Sequence, residues 1–77
     1  VKVQIKIFSA PQCIACDSTK MVLRKAQVGY TEVDVTKDSG ALDQCKAMGF
    51  SELPVVVAGE QSWSGFRYDL LKKLTAA

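Results

Sequence analysis

"VKVQIKIFSAPQCIACDSTKMVLRKAQVGYTEVDV", residues 1–35, carries the two rhythms that decide the fold. Val1, Val3, Ile5 and Ile7 alternate with Lys2, Gln4 and Lys6, the period of two expected of a strand running to about Phe8. Ser9-Ala10-Pro11-Gln12 interrupts it. From about Ile14 to Gln27 the residues are good helix formers, and Ala15, Thr19, Val22, Leu23 and Ala26 are spaced to share one face. Arg24 and Lys25 fall near the C-terminal end, where solvent and the helix dipole both suit cations. Gly29 ends the helix, and Tyr30 to Val35 return to β-prone residues with Val33 and Val35 on one side. Strand, helix, strand predicts a parallel pair joined by a right-handed crossover.

The rest of the chain changes rhythm. Asp38 or Ser39 can cap a short helix from about Gly40 to Met48, with Leu42, Cys45 and Met48 on one stripe and Gly49 as its stop. "LPVVVAGEQSW", residues 53–63, gives a strand, a Gly59-Glu60 turn and a return strand. Ser64-Gly65 then opens a helix whose Phe66, Leu70, Leu71 and Leu74 form an apolar face. The order βαβαββα predicts an α/β fold: a four-stranded mixed sheet flanked by three helices, because parallel strands need cover on both faces.

Composition bounds the function. The 77 residues are expected to form one domain, 1–77, and 48% apolar with 23% charged residues is ordinary for a soluble globular chain. Ten basic residues against eight acidic ones leave +2, scattered too evenly to argue for nucleic acid or anionic lipid. There is no apolar run long enough to span a bilayer, and the N-terminal stretch alternates where a signal peptide would hold an apolar block. The expected setting is cytoplasmic. There, a cysteine pair more often binds metal or does redox work than staples a fold.

Cys13 and Cys16 lie at the junction of the first strand and first helix, with Cys13 in the first helical turn and Cys16 about one turn on. That spacing puts their Cβ atoms about 5 to 6 Å apart, close enough to bridge after a small adjustment. The helix N-terminus favours an anion, so the Cys13 thiolate is expected to be stabilised below the free-thiol range and to attack first. Cys16, deeper, would then resolve the mixed disulfide. Two other readings stand beside this one. Zinc needs about four ligands, and three cysteines without histidine would require an acidic residue or a second chain to complete them. A structural disulfide would close a very short loop in a reducing compartment. Cys45, in a stripe with apolar neighbours, reads as a core residue.

The arrangement of Cys13-Ile14-Ala15-Cys16 between strand and helix, followed by Leu53-Pro54-Val55 and a hairpin, resembles the thioredoxin superfamily and specifically its glutaredoxin-sized members. The resemblance implies a cis Pro54 facing the cysteines, and a Leu53 backbone free to pair with an extended substrate segment. Trp63-Ser64-Gly65-Phe66-Arg67, within "LPVVVAGEQSWSGFRYDLL", is similar to the NrdH-redoxins, glutaredoxin-like in sequence and thioredoxin-like in behaviour. That resemblance implies a monomeric electron carrier with no bound cofactor or metal, working through a redox-active Cys13–Cys16 disulfide. It would be reduced with NADPH by thioredoxin reductase, and would reduce the large subunit of a class Ib ribonucleotide reductase.

Glutaredoxins hold glutathione with a basic residue before the first cysteine, a Thr-Val-Pro segment, and Gly-Gly followed by an acidic residue at a helix start. Here Phe8 to Gln12 contain no basic residue, Glu52-Leu53 precede Pro54, and Ser64-Gly65 are followed by Phe66-Arg67. Glu52 would repel the tripeptide's carboxylate, with Lys6 and Arg67 as partial compensation, so weak glutathione use is expected. The alternatives are a glutathione-dependent dithiol glutaredoxin and, from another class, a metal or iron-sulfur carrier. Two departures from the NrdH-redoxin pattern are Ala15, where Gln is usual, and Tyr68, where Pro is usual. Trp63, Phe66 and Arg67 are candidate docking residues, although a Trp closing a hairpin and a Phe at a helix start more often pack inward.

Overall fold

The computed structural model describes residues 4–75. Its elements are β1 (Ile5–Ser9), α1 (Ile14–Lys25), β2 (Thr31–Asp34), α2 (Ser39–Ala47), β3 (Val55–Ala58), β4 (Gln61–Ser64) and α3 (Tyr68–Thr75). They form a four-stranded mixed sheet in the order β2-β1-β3-β4, with three helices, in the expected βαβαββα sequence. β1 and β2 are parallel, Ser9 opposite Asp34, while β3 runs antiparallel to β1, Phe8 opposite Val55. β4 returns antiparallel on β3 with Val55 opposite Ser64. The C-terminal ends of β1, β2 and β4 therefore meet the start of β3 at one end of the sheet.

Alternation along the strands builds two cores. Ile5, Ile7, Val56, Ala58 and Trp63 pack with Leu23 of α1 and Leu71 of α3 on one face. Phe8, Val55 and Val35 pack with Ala41 and Cys45 of α2 on the other. Successive side chains of a strand point to opposite faces, so Phe8 and Val55 serve one helix layer while Ile7 and Val56 serve the other. β1 is thus buried on both sides from Ile7 onward. Val1 and Val3, expected to begin this strand, lie outside the described residues.

Several boundaries differ from the sequence reading. α1 stops at Lys25 with Ala26 as its C-cap, and Gln27 takes the left-handed φ of +58° that ends the helix, two residues before Gly29. Its buried face is Cys16, Thr19 and Leu23, whereas Ala26 is exposed. In α2 the cap is Asp38, whose carboxylate accepts from the Ala41 N–H at 3.2 Å. The buried stripe there is Ala41 and Cys45, four residues apart; Leu42 and Met48 stay 38% and 36% exposed. α3 starts at Tyr68, the Arg67 carbonyl accepting its Leu71 N–H at 3.0 Å. Phe66 precedes the helix and is 41% exposed, so it is not part of the apolar face that Leu71 buries.

Candidate active site

α1 begins beyond the end of β1, after a turn through Ala10, Pro11 and a left-handed Gln12 (φ +59°). Cys13 is the N-cap, with an extended backbone, one position before the first helical turn in which the sequence places it. The cap position strengthens the electrostatic argument, because the unpaired N–H groups of the first turn converge on the capping side chain. The Cys16 N–H donates to Cys13 Sγ at 3.1 Å, and the Asp17 N–H donates to the Cys13 carbonyl at 3.0 Å. Cys13 and Cys16 are joined as a disulfide, with Cα atoms 5.2 Å apart. Cys16 is wholly buried and Cys13 is partly exposed, so only one of the two sulfurs reaches a partner. Ile14, between them, is 83% exposed.

The same end of the sheet carries Leu53 and Pro54. Their peptide bond is cis, and Pro54 is buried. Continuing the β1–β3 register past Phe8 and Val55 sets Pro54 level with Ser9, the last residue of β1 before the cysteine turn. The Pro54 carbonyl is occupied by the Gly65 N–H at 2.8 Å, while the Leu53 main chain has no backbone partner among the described residues. Gly65 holds φ +80°, a conformation open to glycine at little cost. A main chain without a backbone partner, at the same end of the sheet as the partly exposed Cys13, can pair with a peptide segment.

The three docking candidates separate. Trp63 is 5% exposed and packs in the α1–α3 core, which removes it from any docking surface. The reason is register: Trp63 stands opposite Val56 on the inward side of β4. Phe66 and Arg67 are exposed, Phe66 beside Tyr68 with ring centroids 6.3 Å apart, Arg67 bonded through Nε and Nη2 to the Asp69 carboxylate at 3.3 and 3.2 Å. Cys45 is buried, and burial pushes its thiol above the usual range.

One cluster escaped the sequence reading. The Glu32 carboxylate on β2 accepts from the buried Ser9 hydroxyl at 2.7 Å and from Lys20 Nζ at 2.8 Å. Lys20 also approaches Asp17 at 3.6 Å. The Lys20 bond and then the Ser9 bond hold Glu32 below the ordinary carboxylate range, and the Glu32 bond raises Lys20 above the ordinary amine range. These contacts tie α1 to β1 and β2 one turn past Cys16. Only the Asp17–Lys20 spacing of three was visible in the sequence; the other partners meet through strand pairing.

Among the described residues no three His, Cys, Asp or Glu side chains gather into a metal site, and no helix is long and apolar enough to cross a membrane. A cysteine pair bridged across a helix N-terminus, at the end of this sheet, defines a thiol-disulfide oxidoreductase of thioredoxin fold. Comparison with known proteins is more specific. The glutaredoxin family model matches residues 5–63. The glutaredoxin-like protein NrdH of Escherichia coli is 35% identical over 74 residues, covering 96% of this chain and 91% of that protein. That of Salmonella typhimurium is 39% identical over 70 residues, covering 91% and 86%. The solved structure of the E. coli NrdH-redoxin superposes with a TM-score of 0.92 at 35% identity, covering 96% of this chain and 97% of that one. The chain belongs to the glutaredoxin family, among its NrdH-like members.

Proposed function

We propose that the protein is a cytoplasmic, monomeric electron carrier that takes electrons from NADPH through thioredoxin reductase and delivers them to the disulfide of a class Ib ribonucleotide reductase large subunit. The observation that carries this reading is the similarity to the E. coli NrdH-redoxin along almost the whole chain, a protein described as having a thioredoxin-like activity profile. The absence of a basic residue from Phe8 to Gln12 and the presence of Glu52 beside Leu53 support supply by a reductase over supply by glutathione.

Cys13 and Cys16 are the catalytic pair in this reading, and Leu53 with Pro54 seats the client. The Cys13 thiolate of the reduced protein attacks one sulfur of the client disulfide. A Cys13–client bond forms, the client's S–S bond breaks, and the departing sulfur takes a proton. Cys16, deprotonated, then attacks Cys13 Sγ, closing the bridge seen here and expelling the second client thiol. Counted from the dithiol, two electrons and two protons have left the protein, one proton when Cys13 ionised and one when Cys16 did, and both end on the client thiols; the upstream reductase restores the dithiol. The N–H of Cys16 stabilises charge on Cys13 Sγ. Exposed Phe66 and Arg67 supply contact area for large partners, in a transient interface that needs few anchors.

The deciding experiment follows NADPH consumption with a disulfide substrate, comparing thioredoxin reductase with glutathione plus glutathione reductase as the source. Fast turnover from the first and little from the second is expected. The opposite result would make the protein a glutathione-dependent dithiol glutaredoxin.

A further inference from the structure

Glu52 stands immediately before Leu53, whose main chain is free to receive a client, and it is exposed. Its carboxylate is placed, not merely nearby: Oε2 lies 3.2 Å from where a Cβ on Gly65 would stand, so it leans over the turn that anchors the Pro54 carbonyl. Among the described residues it has no ion-pair partner. Arg67, two residues beyond Gly65, is bonded to Asp69, and Lys20 is bonded to Glu32. Glu52 also lines a hollow of about 140 Å³ together with Leu42, Cys45, Phe50 and Leu53; Lys46 lines it too but is not paired with Glu52. A segment laid along Leu53 therefore passes a negative charge held in no ion pair, beside a largely apolar recess.

We propose that Glu52 sets the charge preference of the site among protein clients, drawing in disulfides flanked by lysine or arginine and disfavouring those flanked by aspartate or glutamate. The proposal rests on the dithiol reading above and adds the residue that discriminates among substrates. Glu52 is exposed, so its charge acts through solvent; the discrimination is modest, of the order of threefold to tenfold in rate, and it weakens with salt.

The test uses three disulfide peptides identical except for one residue beside the cysteine: lysine, glutamine or glutamate. Their reduction by the pre-reduced protein is timed for the wild type, Glu52→Gln and Glu52→Lys, in about 10 mM and about 0.5 M salt. The expected wild-type result is a lysine-over-glutamate rate ratio of about three to ten in low salt, collapsing in high salt. The ratio should approach one in Glu52→Gln and invert in Glu52→Lys. An unchanged ratio in Glu52→Gln overturns the role of Glu52 while leaving the dithiol reading intact. Failure of the wild type to reduce even the glutamine peptide overturns both.

Discussion

The backbone N–H of Cys16 donates to the Sγ of Cys13 across 3.1 Å, so the residue buried behind the exposed sulfur also stabilises it. Of the two cysteines only the cap is accessible, which is what the proposed function asks of Cys13 as nucleophile and Cys16 as resolving group.

Serine variants should divide the two half-reactions. Cys13→Ser is expected to abolish disulfide reduction, because the buried Cys16 cannot reach a client. Cys16→Ser should still attack and then stall, accumulating a protein–client mixed disulfide on Cys13 visible by intact mass. Turnover by Cys13→Ser comparable to the wild type would contradict the assignment.

The Ser9–Glu32–Lys20 contacts should appear in the pH dependence of stability. Glu32 is lowered in the fold, so its contribution is complete above the unfolded carboxylate value of about 4.3 and fades as pH falls through the lower folded value. Lys20 is raised, so its contribution is complete below about 10.4 and fades as pH rises through the higher folded value. Glu32→Gln is expected to cost about 1 kcal/mol between those limits, discounted for the exposure of the carboxylate. Denaturant titrations of both proteins from acid to neutral pH should converge at the acid end; a constant difference down to pH about 2 would assign the loss to packing.

Cys45 should be silent in the folded state. Burial raises its thiol, and 2% exposure denies reagents access. Alkylation of the oxidised protein is expected only in denaturant, and Cys45→Ala should lose about 1 kcal/mol without altering disulfide reduction. Rapid modification under native conditions would show that the α2 packing opens.

Two glycines should respond with opposite signs. Gly49 ends α2 at φ +87° with open space around its Cα, so Gly49→Ala meets no clash yet is expected to destabilise by about 1 kcal/mol through backbone strain. Gly29 has equal room and no left-handed conformation, so Gly29→Ala should be neutral or gain up to about 0.5 kcal/mol. Thermal melts of the pair isolate the backbone effect from packing.

The element order, the mixed sheet and the junction holding Cys13 and Cys16 were legible because each rests on a local period or a turn residue. Errors gathered where the answer depends on a neighbour. Leu42, Cys45 and Met48 share a stripe in the sequence, but the sheet presses on Cys45 together with Ala41 and leaves Leu42 and Met48 exposed. Phe66 looked like the first apolar residue of α3, but the Gly65 turn keeps it outside the helix. Glu32 and Ser9 are 23 residues apart in sequence, and only the parallel pairing of β1 with β2 brings them together. That Glu52 is an unfavourable charge for glutathione is plain from the sequence; its placement over Gly65 is set by the fold.

For the electron carrier proposed above, the burial of Cys16 has a kinetic consequence. Because Cys13 alone is accessible, the source of electrons and their recipient must each form their mixed disulfide on the same atom. They cannot be bound productively at once, so the protein alternates between them in ping-pong fashion. Excess of either partner then competes with the other for the same docking face, and delivery depends on dissociation between half-reactions as much as on chemistry.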